Sequence, residues 1–261
     1  MGRHLVETRW AAVAIVVIVV AGAVLRALFL GVCLTNDETI TYDWSSGSLR
    51  GAVQSQYYPL ANVLAWCALQ ISHAEPVMRL PAFLAGVFSI LAIYWLGKNV
   101  FSAPAGLVCA ALLAVSTFHI QHSDNARYYS YVMLAVILSM LAIERYTSTV
   151  KVRWLPGWSA GVALGELSHP FFLLGAAGLS IGAGLWHLVT PRLKGIPRRA
   201  LYLGLFCVLT AAGLAPILAY MAPKLLPAAE IAARAAGPGA AKTSYTHIRT
   251  GPSGFRPSSP C

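Results

Sequence analysis

Charge is scarce in this chain. Only 11% of its 261 residues are Asp, Glu, Lys or Arg, while 57% are hydrophobic, against roughly a quarter charged in soluble domains. With a mean hydropathy of +0.66, that shortage excludes an ordinary soluble domain and indicates a polytopic membrane protein. Cysteine is sparse too. The five cysteines at 33, 67, 109, 207 and 261 fit no metal-ligand spacing, and only Cys33 and Cys67 fall where an oxidising compartment could join them. Nothing before the first polar loop resembles a small-x-small cleavage site, so 10–32 is read as a retained helix and not a signal peptide. Val32 stands where a lipoprotein signal would need a small residue before Cys33, which sets lipid attachment aside. No internal repeat is present, and a transporter would be expected to show paired repeats and polar groups near mid-membrane.

What the chain does have is long apolar runs. The stretches 10–32, 78–97, 104–120, 130–146, 154–168, 171–189 and 200–221 approach or meet the length of a membrane span, giving an all-α protein of about seven transmembrane helices. They form a transmembrane domain over 1–221, with a first outer loop at 33–77. Within that loop, 59–71 is too short for a confident span and reads as a juxtamembrane helix at the outer surface, with Tyr58 and Trp66 at head-group level. The segment 222–261, rich in Pro, Gly, Ala and Ser, is expected to be a disordered tail.

The basic residues orient the bundle. With the N-terminus inside, the inner segments hold Arg3, Arg9, Lys98, Arg145, Lys151, Arg153, Arg192, Lys194, Arg198 and Arg199, while the outer face before the tail holds Arg50, Arg79 and Arg127. The positive-inside rule favours a cytoplasmic N-terminus. The net charge of +10 is therefore a topology signal directed at anionic lipid head groups, and nucleic acid is not implied.

Acids fall the other way. Asp37, Glu38, Asp43, Glu75, Asp124 and Glu166, six of the nine, map to the outer side or the outer ends of spans. A carboxylate at a membrane edge is costly unless it is used. These acids come from three distant segments: the first outer loop, which opens with "NDE", the "HSDNARYYS" turn between the third and fourth spans, and the "GELSHPFF" turn between the fifth and sixth. A site assembled from distant segments reads as a binding or catalytic site.

The order "NDE", "YYPLANVL" and the block from "MRLPAFLAGVF" through "HSDNARYYSYVMLAVILSMLAIERY" resembles the polytopic C-type fold membrane glycosyltransferases. It is most similar to the branch of protein O-mannosyltransferases, lipid A aminoarabinose transferases and their bacterial relatives. The resemblance implies a multi-pass protein of the bacterial inner (plasma) membrane that transfers sugar from a polyprenyl-phosphate donor to a lipid, polysaccharide or protein hydroxyl acceptor on the non-cytoplasmic face. It carries the catalytic carboxylates over to Asp37, the expected base, and Glu38. It sets the family's Ser-Gln-Glu-Ala-Arg-x-Tyr on Ser123 to Tyr129. There the acid sits at Asp124 and not at the position of Asn125, and "HPPL" reads "YYPL". Family members are usually longer, so a shortened, non-catalytic scaffold is the alternative reading, with a small-molecule or lipid transporter behind it.

The residue types suit the chemistry. A hydroxyl attacking an anomeric carbon needs a base, and a carboxylate at the water interface can serve. The departing phosphate needs a planar donor fork, which Arg127 provides. Asp124 could orient Arg127 or the acceptor, Tyr129 completes the motif, and Glu166 with His169 could line a sugar pocket from one helix face. No motif marks a metal site, and a divalent metal is neither called for nor excluded. Arg26, Arg50 and Arg79 read as interface anchors or phosphate-adjacent charges.

Overall fold

The computed structural model describes residues 2–54, 59–149 and 151–189, and among these every regular element is helical. The expected seventh span at 200–221, the tail at 222–261, and Tyr58 lie outside the described residues. The order is α1 (Gly2–Ala27), α2 (Asn36–Ser45), α3 (Leu49–Gln54), α4 (Pro59–Leu69), α5 (Glu75–Val100), α6 (Ala103–Val115), α7 (Thr117–Ser123), α8 (Tyr129–Thr149), α9 (Leu155–Ser168) and α10 (Phe172–Val189). By length and composition, α1 from Arg9, α5 and α8 can cross a membrane, and α6 with α7 can make a fourth crossing as a bent pair. The fifth expected span is the 14-residue α9, which is short for a straight crossing. The sixth is the 18-residue α10.

Helix starts follow local chemistry. Proline occupies the first turn of α5, α6 and α9, where its missing N–H has no helical partner to lose. Ser102 caps α6 by accepting from the Ala105 N–H. The first helix stops at Ala27, short of the expected 32, because 28–32 turns away and presents carbonyls to Arg79 of α5.

The helix α5 is the central post, touching α1, α4, α6, α7 and α8. Its seams are built from small residues, as expected where lipid removes most of the hydrophobic drive between helices and close packing must supply the attraction. At the α5–α6 crossing, a Cβ on Gly106 would lie 2.5 Å from the Tyr94 carbonyl oxygen, so only glycine permits that approach. One core gathers Ile15, Ile90, Tyr94, Ala110 and Ala114 from α1, α5 and α6. Another packs Tyr146, Leu155, Trp158, Val162 and Phe172 between α8, α9 and α10. Outside these seams the pattern is apolar outward: Val13, Val16, Val17, Val20 and Val24 form an exposed stripe along α1, suited to lipid and not to water.

The apolar run expected as one helix over 104–120 is broken. Ser116 is extended, its hydroxyl caps α7 by accepting from the His119 N–H, and the two helices meet at 63°. A break leaves carbonyls of the last α6 turn without helical partners. Arg26 of α1 reaches across and donates to the carbonyls of Leu113 and Ala114 at 3.2 and 3.1 Å.

Candidate active site

The short helix α2 opens with Thr35-Asn36-Asp37-Glu38, a reciprocal capping box. The Glu38 N–H approaches the Thr35 hydroxyl at 3.4 Å, while the Thr35 N–H donates to Glu38 Oε2 at 2.9 Å. This satisfies two orphan donors at the helix start and turns the Glu38 side chain inward, where it is buried. Arg79 meets it there with two parallel bonds, Nε to Oε1 at 2.7 Å and Nη2 to Oε2 at 2.8 Å. The same guanidinium donates to the carbonyls of Leu30, Val32 and Cys33. Glu38 Oε1 also accepts from the Ala126 N–H at 3.0 Å. One buried ion pair thus fastens the end of α1, the start of α2, α5 and the 124–128 turn together. Burial alone would raise the Glu38 carboxyl, but the hydrogen bonds from Arg79, Thr35 and Ala126 hold it below the usual carboxylate range. Both Glu38 oxygens are engaged, whereas the neighbouring Asp37 side chain is 58% exposed.

Asp37 meets the turn from the other side. Arg127, itself buried, donates from Nη1 to the Asp37 carbonyl at 3.1 Å and sets Nη2 3.8 Å from Asp37 Oδ2. Its guanidinium carbon lies 5.6 Å from the centre of the Tyr128 ring. From there a chain of ring contacts runs Phe118, His122, Tyr129, Tyr128, His169 and Phe171, edge-on at 75° for the first pair and tilted by 36 to 38° for the others, with successive centres 4.3 to 5.0 Å apart. The three sequence segments therefore converge: Asp37 and Glu38, the 124–129 turn, and His169.

Glu166 and His169 do not share a helix face, because α9 ends at Ser168 and His169 is its extended cap. His169 Nδ1 accepts the Phe171 N–H at 3.1 Å, and burial with the nearby Arg127 charge lowers its pKa, favouring neutral imidazole. Glu166 is buried on α9, and its Oε1 has no hydrogen-bond partner among the described residues. Cys67 is a free thiol, so the Cys33–Cys67 bridge is not made. Among the described residues, no three His, Cys, Asp or Glu side chains are grouped to hold a metal ion.

Two cavities flank the turn. The first, about 590 Å³, lies among α7, α8 and α10, and its walls include Phe118, His119, Tyr128, Tyr129, Met133 and Phe172. Arg26 fixes the chemistry of His119: its Nη2 lies 2.6 Å from His119 Nδ1, and since a guanidinium only donates, Nδ1 must accept. The proton then sits on Nε2, which is buried without a partner among the described residues. The second cavity, about 560 Å³, is bounded by Thr35, Glu38, Arg79, Gln121, Asp124 and Asn125 among others. Asp124 is 8% exposed, and burial pushes its carboxyl up to about 6 against the pull of the Arg26 and Arg79 guanidiniums.

Sequence alone reads Arg26 and Arg79 as interface anchors or phosphate-adjacent charges, and not as the partners of His119 and Glu38. The signal for the Glu38 arrangement was local, a T-x-x-E capping box. The signal for Arg26 was a lone arginine inside an apolar run, which demands an internal partner.

No curated protein and no solved structure matches the chain. The family model for dolichyl-phosphate-mannose-protein mannosyltransferases matches residues 57–220, which takes in α5, the 124–128 turn and His169 and begins after Asp37 and Glu38. With more than half of its length matched, the chain belongs to the dolichyl-phosphate-mannose-protein mannosyltransferase family.

Proposed function

We propose that the chain transfers a glycosyl group from a polyprenyl-phosphate sugar to a hydroxyl acceptor on the outer face of the membrane, with Asp37 as base. Family membership implies glycosyl transfer from a dolichyl-phosphate sugar. The observation that carries the finer reading is the Asp37–Arg127 pair: an exposed carboxylate 3.8 Å from a buried guanidinium that also grips its backbone. In the proposed step Asp37 takes the acceptor hydroxyl proton and the hydroxyl oxygen bonds to the anomeric carbon. The bond from that carbon to the phosphate oxygen breaks, and Arg127 meets the charge that develops on the departing phosphate. Glu38, with both oxygens occupied, is a positioning residue: through the Ala126 N–H it holds the turn that carries Arg127. The apolar cavity among α7, α8 and α10 suits the first prenyl units of the carrier, and the His119 Nε2–H offers a donor to an oxygen of its head.

Two measurements bear on this reading. Arg127→Lys is expected to be nearly as damaging as Arg127→Ala, because a planar fork, and not charge alone, fits the phosphate oxygens. Donor turnover at saturating acceptor and equal membrane abundance checks this, and near wild-type rates for the lysine variant would withdraw the phosphate role. For orientation, exposed Ser46 and Ser148 are replaced singly by cysteine in a background without native thiols. An impermeant reagent applied from outside is expected to label position 46 and not position 148; the reverse pattern would put the site on the cytoplasmic face.

A further inference from the structure

We propose that a phospholipid with a negatively charged head group binds at the end of the bundle away from Asp37 and Arg127, one acyl chain on each side of a leucine ridge on α8 and its phosphate among the basic side chains there. The ridge is Leu138 and Leu141, three residues apart on one face of α8. On its α9 side, Ala142, Trp154, Gly157, Ala160 and Leu164 help to wall an apolar groove of about 470 Å³. On its α5 side, Phe88, Leu91, Trp95 and Leu134 help to wall a second, of about 300 Å³. The grooves share both ridge leucines, so they lie side by side as the two chains of one lipid do. From Trp154 to Leu164 the first follows α9 for about 15 Å at the helical rise of about 1.5 Å per residue. That is the depth of one leaflet, half of a hydrocarbon core about 30 Å thick.

Each groove ends at an indole beside a cation. The guanidinium carbons of Arg145 and Arg153 lie 5.8 and 5.5 Å from the centre of the Trp154 ring, and Lys98 Nζ lies 5.1 Å from that of Trp95. Such contacts hold the basic side chains over the groove ends, and tryptophan with snorkelling cations is the arrangement found at head-group level. Lys98 is separated from Arg79 of the candidate active site by about 28 Å of α5, so the two sites face opposite membrane surfaces. Charge selects the head group. Within 94–106 and 141–158 the cations are Lys98, Arg145, Lys151 and Arg153, and the one acid is Glu144, whose Oε2 is 3.9 Å from Arg145 Nε. The surplus positive charge favours an anionic lipid over a zwitterionic one, and the arginine forks suit phosphate oxygens. A helix laid in the grooves would cover the leucines but leave that surplus unanswered. The site does not rest on the glycosyl-transfer reading; under the orientation proposed above, its lipid belongs to the cytoplasmic leaflet.

The test titrates the full chain in detergent micelles with phosphatidylglycerol and, separately, with phosphatidylcholine of the same acyl chains, read by native mass spectrometry. The wild type is expected to retain one phosphatidylglycerol at concentrations where phosphatidylcholine is lost. Arg145→Gln with Arg153→Gln should weaken that retention by about tenfold or more, the scale of losing hydrogen bonds to a charged group. The matching double lysine variant, which keeps the charge and loses the forks, should fall between. Ala160→Phe, filling the α9 groove from an exposed position, should weaken retention with every cation in place. Melting curves in phosphatidylcholine nanodiscs check folding; if the double glutamine variant melts early, Lys98→Gln and Ala160→Phe carry the comparison. Equal retention of the two lipids, or unchanged retention by the folded variants, overturns the proposal. So does displacement by glycerol phosphate as effective as by the whole lipid, which would leave an anion site that makes no use of the grooves. Benzoylphenylalanine in place of Leu138, irradiated in native membranes, is expected to give an adduct heavier by one anionic phospholipid. An adduct to a zwitterionic lipid, to the chain's own 200–221 segment or to a second copy overturns it.

Discussion

Asp37→Asn is expected to keep donor binding and to lose transfer by about two to four orders of magnitude, the usual weight of a general base. The amide preserves size and can still meet the Arg127 guanidinium through its carbonyl oxygen, so the turn should hold its place; what disappears is the lone pair that accepts the acceptor's proton. Asp43, exposed on the same helix, is the control, and Asp43→Asn should cost little. Both variants are assayed with a labelled polyprenyl-phosphate sugar, for transfer and separately for retention of the donor. If Asp37→Asn retains more than about a third of the activity, far outside that range, the base lies elsewhere. A non-catalytic scaffold predicts a different result, no transfer in the wild type to begin with.

Arg79→Leu should be the most destabilising single change near the site. It strands the buried Glu38 carboxylate and releases three carbonyls after α1, a type of loss worth about 3–5 kcal/mol. Replacing both partners, Arg79→Leu with Glu38→Leu, should recover much of that stability, since an apolar pair of similar volume is often neutral. It should not recover activity, because the Ala126 N–H still lacks its acceptor and the turn carrying Arg127 is no longer held. Melting curves of the single and double variants in nanodiscs, alongside transfer rates, separate the two effects; full activity in the double variant would show that Glu38 has no positioning role. The pH sign follows from the lowered Glu38 pKa. In the wild type its contribution is present above the unfolded value and is lost as pH falls through the lowered folded value. In Arg79→Leu burial acts unopposed by the pair, so acidification should relieve part of the deficit.

Much of this was legible because membrane insertion writes on the sequence in bulk. That Asp37, Glu38 and Asp124 fall near the ends of apolar runs follows from the cost of charge in lipid, and it located the region where the three segments meet. What was hidden depended on geometry. Neighbouring acids look alike in a string, yet the capping box sends Glu38 inward to Arg79 and leaves Asp37 exposed. The break at Ser116 falls in a mostly apolar run with no proline or glycine from Leu107 to Ser123, so periodicity had nothing to register. Glu166 and His169 share a helical spacing, but the helix ends between them, and a spacing rule holds only while the helix does.

The pairing of Arg26 with the interrupted α6–α7 segment also constrains the order in which the protein is made. As α1 leaves the ribosome it carries an arginine whose carbonyl partner at Ala114 lies 88 residues downstream. Until then its guanidinium has only the Gly22 carbonyl of its own helix among these partners, and an arginine in the last turn of an apolar helix disfavours insertion, though by less than one at the centre, which costs about 2.5–3.5 kcal/mol. The interrupted segment arrives with the opposite defect, carbonyls exposed by its own bend. Each is a poor membrane guest alone and a good one in the other's company, so α1 should remain loosely seated during synthesis until α6 and α7 have entered.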